Sequence, residues 1–445
     1  MKQIILPENV KYIIDTLERA GYEGYAVGGC VRDSLLGREP DDWDITTNAK
    51  PLQIKELFRR TVDTGIQHGT VTVLVGSDTY EVTTYRIDGE YEDNRHPRQV
   101  EFTTSLIEDL KRRDFTINAM AYNDRDGIID EFDGMGDLNS GIIRCVGSPV
   151  ERFSEDALRI MRAVRFSAQL GYKIEENTLS AIKELSPNLK DISAERINTE
   201  LTKLIVSKNP GHIRLLCETG IADVILPELS LVMNIEQNNP HHCYNVGEHI
   251  IRSVENIEAD KALRYAMLFH DLGKGETKTT DENGVDHFHG HVQLSARMAV
   301  DIAHRLKFDN QTLNRVKKLV AYHDVKVELN IRSVRRLINK IGVEDFPDLL
   351  KVKQADMEAQ SDYKREEKQK EIDTLWELYD RVIEQNDCVR ISDLAINGKD
   401  LMEHGIEQGP KIGAVLNALL EKVMDDPSLN TKEKLTELLN EEDFF

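Results

Sequence analysis

Gly28-Gly29-Cys30-Val31-Arg32-Asp33, followed closely by Asp42-Trp43-Asp44, is the most informative stretch of this 445-residue chain. Paired glycines let backbone N–H groups approach a polyanion, and Arg32 can add charge-assisted hydrogen bonds. Two aspartates at i and i+2 on a strand point to one face, so Asp42 and Asp44 could reach one cation. Hard divalent ions such as Mg²⁺ take carboxylate oxygens and keep positions open for phosphates. A bare Asp-x-Asp is most often an ordinary turn or surface pair, so its surroundings must carry the reading.

Outward from this stretch, residues 9–20 repeat apolar positions with helical period (Val10, Ile13, Ile14, Leu17) up to Gly21. Tyr25-Ala26-Val27, Asp44-Ile45-Thr46, Val71–Val75 and Tyr80–Tyr85 read as strands, and Pro51–Phe58 as a helix. These segments predict a small α+β domain with a sheet of about five strands. The polar insertion Ile87–Gln99 reads as a mobile loop. After Ile143 the strand signals fade, and from Ser154 the chain reads as almost continuous helix. Asn238-Asn239-Pro240 marks one boundary and Asp387-Cys388-Val389 another.

Catalysis at Asp42 and Asp44 calls for a third carboxylate and a nucleoside pocket. Glu81, on the strand expected beside them, is either that third ligand or an outward edge residue. Lys111-Arg112-Arg113-Asp114-Phe115-Thr116-Ile117-Asn118 combines arginine for phosphate with Asp and Asn for sugar hydroxyls. In Glu155-Asp156-Ala157-Leu158-Arg159-Ile160-Met161-Arg162-Ala163-Val164-Arg165-Phe166, helical spacing puts Asp156, Arg159 and Arg162 on one face. The pair is either an ordinary ion pair or a protein-borne reader of one base edge.

Taken in order, Gly28-Gly29-x-Val31-Arg32-Asp33 with Asp42-x-Asp44, Arg112-Arg113-Asp114-Phe115-Thr116-x-Asn118-Ala119, Asp133-Gly134-x-x-Asp137-Leu138 and Glu155-Asp156-x-x-Arg159-x-x-Arg162 resemble the motifs of class II CCA-adding tRNA nucleotidyltransferases, within the DNA polymerase β superfamily. The resemblance is dense over the first ~170 residues and thinner beyond. It implies Mg²⁺ on Asp42 and Asp44, with Gly28, Gly29 and Arg32 at the triphosphate. Arg113, Asp114 and Asn118 would meet the sugar, and Asp156 and Arg159 would select C or A. Arg162 and Arg165 would support the nucleotide or primer end. Arg86-x-Asp88-Gly89-x-Tyr91-x-Asp93-x-Arg95-x-Pro97 resembles a loop absent from enzymes adding only CC. Phe58-Arg59-Arg60-Thr61 does not match the signature of bacterial poly(A) polymerases. The implied partners are tRNA, CTP and ATP.

His249, His270-Asp271 within Leu268–Lys274, His291, His323 and Asp356 follow the order of an HD metal-dependent phosphohydrolase domain. Such a set can hold one or two divalent ions and activate water, or persist as a structural body. His241, His242, His287 and His289 read as neighbours rather than ligands. Arg332, Arg335, Arg336 and Lys340 share one side of a helix whose other side is apolar, a candidate rail for RNA phosphates. The segments Ile391–Leu401 and Gly409–Gly413 resemble the tail that grips the tRNA elbow.

Composition bounds these readings. A net charge of −22 argues against indiscriminate duplex coating. Lys307–Lys340 nevertheless carries nine Lys/Arg against three Asp/Glu, either a solvated face or a grip on one folded RNA. Five scattered cysteines, no Cys-x-x-Cys, no long apolar run and no signal-like start point to a reduced, cytoplasmic, non-membrane protein. The expected architecture is an α+β head with a polymerase-β-like sheet (1–148), then an all-α neck (149–237), an HD-type body (238–388) and a tail (389–445). The leading expectation is addition of C and A to tRNA 3′ ends. Addition of A alone, or an HD phosphodiesterase or phosphatase as the main activity, stand as alternatives.

Overall fold

The computed structural model of the protein describes residues 4–88 and 100–441. These divide into two compact units, 1–230 with 305–307, and 231–304 with 308–445.

In the first unit, helix α1 (Glu8–Arg19) buries Val10, Ile13, Ile14 and Leu17, the stripe its periodicity predicts. Strands β1 (Gly24–Val27) and β2 (Ile45–Thr47) flank helix α2 (Gly29–Leu35), and helix α3 (Pro51–Leu57) follows with Pro51 in its first turn. Strands β3 (Thr61–Gly65), β4 (Thr70–Val75) and β5 (Asp78–Thr84) form a meander, and β6 (Arg86–Asp88) pairs with β7 (Val100–Phe102) as a separate antiparallel ribbon. Helix α4 (Leu106–Lys111) leads to β8 (Ala121–Asn123) and β9 (Gly127–Ile129).

The main sheet has seven strands in the order β3-β4-β5-β2-β1-β8-β9, not about five. The extra members, β3, β8 and β9, are only three to five residues long, too short for a clear alternating pattern. The β2–β5 pair is parallel and the other neighbours antiparallel, so the sheet is mixed. Tyr25, Val27, Tyr85, Leu110, Ala119, Ala121 and Val146 pack as one core against it.

Helices then dominate: α5 (Gly134–Ser140), α6 (Pro149–Glu155), α7 (Leu158–Leu170), α8 (Glu176–Leu185) and α9 (Ala194–Ile205). Only the two-residue parallel pair Ile142–Ile143 with Lys173–Ile174 interrupts the helical reading here. Of the insertion expected over Ile87–Gln99 and its resembling loop, Arg86–Asp88 belong to β6, while 89–99 lie outside the described residues.

The second unit is also mainly helical, with helices at Val246–Asn256, Lys261–Phe269, Asn310–Tyr322, Ile331–Ile341, Phe346–Glu358 and Arg365–Glu384. A separate apolar cluster from Cys388 to Leu439 gives the C-terminal segment its own core, centred on Leu401, Leu419, Leu435 and Leu439. Gly409 precedes the helix Pro410–Asp425, so the Gly-Pro pair there is a helix start. Among the described residues, no helix is long and apolar enough to cross a membrane.

Candidate functional site

The turn at Gly28 requires glycine. Its φ is +85°, and a Cβ there would lie 2.9 Å from Arg113 Nη1. The Gly28 N–H donates to the Met120 carbonyl, which ties the turn to the edge of β8. Arg32, one turn into α2, donates through Nε and Nη2 to Asp33 at 3.0 and 2.7 Å, and through Nη1 to Asn118 Oδ1 at 2.6 Å.

Asp42 and Asp44 are not within a strand. They stand in the approach to β2, whose first residue is Ile45. The Val27 N–H already donates to the Asp44 carbonyl at 3.0 Å, so the backbone there is paired before the ladder proper begins. Ile45 is in parallel register with Val82, which brings Glu81 of the adjoining strand beside Asp44. Asp44 opens to solvent on its outer side, yet surrounding atoms strip part of its hydration and push its carboxyl up. Arg113 pulls it back down, and Asp42 adds repulsion. Exposed Glu81 is likewise raised, by partial burial and then by Asp44 and Asp42. The three carboxylates thus repel one another, and a bound cation would relieve that repulsion.

A second network lies alongside. Asp114 is buried, with its carboxyl held down to about 2. Burial opposes this, but Arg162, Arg159 and Asn118 outweigh it. Arg162 donates to Asp114 Oδ2 from Nε at 2.7 Å and approaches it with Nη2 at 2.6 Å, while Asn118 Nδ2 donates to Oδ1 at 3.2 Å. The guanidinium groups of Arg165, Arg32 and Arg162 lie 3.9, 5.0 and 5.4 Å from the centre of the Phe166 ring. Burial lowers Arg165 to about 10 even though Glu200 is 2.6 Å away.

The pair Asp156 and Arg159 departs from the expectation of one continuous helix face. Asp156 is extended (φ −141°, ψ 103°) between α6 and α7. Its Oδ1 accepts from the Leu158 N–H at 3.1 Å, which ends one helix and starts the next. Arg159, within α7, pairs with Glu155 at 2.6 Å and donates to the carbonyls of Arg152 and Arg112.

Three supporting residues escaped the sequence reading. Asp109, fully buried on α4, pairs with Arg112 at 2.8 Å and lies 3.7 Å from Arg113. Arg196 and Glu200, four apart on α9, pair with Asp156 at 2.8 Å and Arg165 at 2.6 Å. Their signal was a complementary i,i+4 charge pair on an amphipathic helix, indistinguishable in one dimension from a surface pair.

In the second unit the six expected ligands do converge. His249 Nε2 lies 3.2 Å from His270 Nε2, 3.3 Å from Asp271 and 3.0 Å from Asp356. Asp271 also faces His291 at 3.5 Å and His323 at 3.8 Å, so one carboxylate serves two three-residue groups with ligand spacing. Burial would depress His270, but Asp271 and Asp356 raise it to about 10, whereas His323 is lowered to about 3 by burial and by His270. Lys274 donates to Asp271 at 2.7 Å and to Gln237 at 2.8 Å. Over these groups opens a cavity of about 830 Å³, lined also by Lys326, Lys353, Lys364 and Lys368. His242 borders it, its ring 5.2 Å from that of His249.

The basic rail is corrected by the structure. Arg335 is buried, bound to Asp387 at 2.7 Å and donating to the Met424 carbonyl at 3.0 Å. It packs with Val334, Leu337 and Ile338, because the apolar face of the helix Ile331–Ile341 is wide enough to include its stem. Arg332, Arg336 and Lys340 remain exposed, and Arg336 pairs with Asp425 at 2.9 Å.

Comparison with known proteins adds three matching family descriptions. "Poly A polymerase head domain" covers residues 24–144, "Probable RNA and SrmB- binding site of polymerase A" covers 171–233, and "tRNA nucleotidyltransferase domain 2 putative" covers 279–439. The CCA-adding enzyme of Levilactobacillus brevis is 36% identical over 431 residues, 96% of each chain. That of Ligilactobacillus salivarius is 54% identical over 208 residues, a match spanning 46% of this chain and 52% of the relative. Among solved structures, the Bacillus stearothermophilus CCA-adding enzyme in complex with CTP aligns over 98% of both chains with a TM-score of 0.74 and 30% identity.

Proposed function

The chain belongs to the family of CCA-adding enzymes, and on that premise we propose that it adds C and A to the 3′ ends of tRNA from CTP and ATP without a nucleic-acid template. The tRNA 3′-hydroxyl attacks the α-phosphate of the nucleotide, and pyrophosphate leaves. The observation that carries this reading is that Arg113 links the Asp44 carboxylate to the Gly28 turn. That guanidinium acts on the Asp44 carboxyl and reaches under the Gly28 turn.

In this reading the Gly29 N–H, at the close approach that the Gly28 turn permits, holds the triphosphate with Arg32, and Asp114 and Asn118 hold the sugar. Arg162 and Arg165 steady the nucleotide and primer end. Cytosine and adenine both present an exocyclic amine beside an unprotonated ring nitrogen, whereas uracil and guanine present a carbonyl beside an N–H. Asp156, which accepts, and Arg159, which donates, match the first pattern and oppose the second. The family implies a divalent cation. The all-carboxylate donor set of Asp42 and Asp44, with Glu81 beside them, fits Mg²⁺. Such an ion supplies charge neutralisation at the phosphates and acidifies the attacking hydroxyl.

Incubation with tRNA ending at the discriminator base, with tRNA-C and with tRNA-CC, each with labelled CTP or ATP and Mg²⁺, tests the reading. Incorporation at all three ends is expected, and none in the Asp42→Ala/Asp44→Ala variant. Extension of tRNA-CC alone would reduce the activity to A addition.

The four segments 1–148, 149–237, 238–388 and 389–445 then act as catalytic head, neck, HD-type body and tRNA-binding tail, in a cytoplasmic protein. The convergence of His249, His270, Asp271, His291, His323 and Asp356 supports a second, phosphohydrolase activity. Its mixed His/Asp donors fit a divalent transition metal, and the lysines around the cavity suit a phosphate ester. Phosphate release from 2′,3′-cyclic nucleotides that disappears in His270→Ala would establish it; no release by the wild type would remove it.

A further inference from the structure

We propose that Arg196 is a specificity-determining positioning residue, which holds the Asp156 carboxylate in the orientation that accepts the exocyclic amine of C or A. The proposal rests on the reading of Asp156 as a base selector and adds the group that makes the selector directional.

Asp156 lies outside both flanking helices, so regular backbone does not fix where its side chain points. The torsion that turns a carboxylate plane is soft, and a single hydrogen bond leaves the plane able to swing. Two bonds remove that freedom. The Leu158 N–H donates to Oδ1 at 3.1 Å, and Arg196 Nη2 donates to Oδ2 at 2.8 Å. Each oxygen keeps a second lone pair, and with both oxygens tethered those lone pairs have fixed directions.

The anchor comes from a separate element. Arg196 stands on α9, and one turn later Glu200, 5% exposed, binds Arg165 of α7. One face of α9 therefore carries a cation for Asp156 and an anion for the arginine pair Arg162 and Arg165, 4.0 and 2.6 Å from Glu200. This alternation opposes the charges on the segment that reads the nucleotide, so α9 resists their drift. Arg196 Nη1 is buried without a hydrogen-bond partner among the described residues, so Asp156 is the one group this guanidinium is seen to hold.

Selectivity follows from geometry. A carboxylate fixed toward the base edge gains a bond from the amine of C or A and meets the O4 or O6 of U or G lone pair to lone pair. A carboxylate able to rotate relieves that clash. Loss of Arg196 should therefore damage rejection of the wrong bases more than use of the right ones.

The test uses the full-length protein with tRNA ending at the discriminator base, comparing kcat/KM for CTP and UTP in wild type, Arg196→Gln, Arg196→Lys, Asp156→Ala and Arg196→Gln/Asp156→Ala. Arg196→Gln is expected to lower the CTP-over-UTP ratio by at least about tenfold, the scale of one charge-assisted hydrogen bond. Arg196→Lys should restore part of the ratio, and Arg196→Gln should cause no further loss in the Asp156→Ala background. An equal fall for both nucleotides with the ratio intact would make Arg196 structural only and overturn the proposal. Additive losses in the double variant would mean that Arg196 acts on the base itself, and would overturn it too. A ratio untouched by Asp156→Ala would instead remove the base-selector reading on which the proposal rests. Thermal melting of each variant separates these outcomes from unfolding, and the milder Arg196→Lys keeps the test open if Arg196→Gln folds poorly.

Discussion

Asp114 and Arg162 stand 48 positions apart and close an ion pair at 2.6 Å in the nucleotide network of the first unit. The aspartate is buried and the arginine one-third exposed, so the pair is neither a surface bridge nor a fully dry one. Asp114 titrates at about 2, against a usual 3.8. A lowered carboxylate contributes stability above its unfolded value of 3.8 and loses it as pH falls toward 2. That shift corresponds to about 2–3 kcal/mol. Asp114→Asn is therefore expected to cost about that much at pH 6, with the gap to wild type shrinking below pH 4. Urea denaturation at a series of pH values checks this, and a gap constant down to pH 2.5 would contradict it.

How much of this site could be read in one dimension depends on sequence separation. Gly28, Arg32, Asp42 and Asp44 sit within one short motif, and local turn chemistry tells their story. Glu81 is expected on a strand beside Asp44 because Tyr80–Tyr85 reads as a strand; that the pairing is parallel, with Ile45 opposite Val82, was not legible. The break at Asp156 was not legible: helical period runs through it, and a side-chain acceptor for the Leu158 N–H competes with the helix at that one residue. Nor was the fate of Arg335 legible, because Asp387, its partner, is 52 positions away. Long-range ion pairs decide whether a charge faces water, and periodicity does not record them.

The mutual repulsion of Asp42, Asp44 and Glu81 gives opposite outcomes for activity and stability. Burial, and Asp42 beyond it, raise Asp44 above its ordinary value, so at neutral pH its charge is disfavoured by folding rather than supported by it. Asp44→Asn should raise the melting temperature of the metal-free protein and abolish the further rise that Mg²⁺ produces in wild type. Loss of several kcal/mol of metal-borne stabilisation predicts at least a thousandfold fall in CTP incorporation, to order of magnitude. Calorimetry with and without Mg²⁺, beside a primer-extension assay, reads both. A destabilised metal-free variant would contradict the electrostatic account.

Arg335 and Arg336 are adjacent in sequence and should behave as opposites. Arg335 is buried against Asp387 and the Met424 carbonyl, and removing one partner of a buried pair costs about 3–5 kcal/mol. Arg336, exposed beside Asp425 and Glu421, should cost less than about 1 kcal/mol when truncated. Denaturant titration of Arg335→Ala and Arg336→Ala tests the stabilities. If the exposed face touches RNA phosphates, Arg336→Ala lowers the salt dependence of tRNA affinity by about one unit of slope. Arg335→Ala, measured where it is folded, should leave that slope unchanged.

The two centres make separable metal predictions. In the second unit Asp271 is shared by His249 and His270 on one side and His291 and His323 on the other. A divalent transition ion such as Mn²⁺, bound only by the folded protein, should stabilise it by about 2.7 kcal/mol at a hundredfold excess over its dissociation constant. Asp271→Asn weakens both three-residue groups together and should abolish that stabilisation. His270→Ala touches only the group formed with His249 and Asp271, and His291→Ala only the group formed with Asp271 and His323. A single-ion centre would therefore lose its Mn²⁺ in just one of these two variants, and a two-ion centre would keep one equivalent in each. Isothermal titration with Mn²⁺ counts the equivalents directly. Mg²⁺-dependent incorporation of CTP, whose residues lie in the other unit, should persist in all three folded variants; its loss would mean that the histidine centre serves nucleotide addition itself.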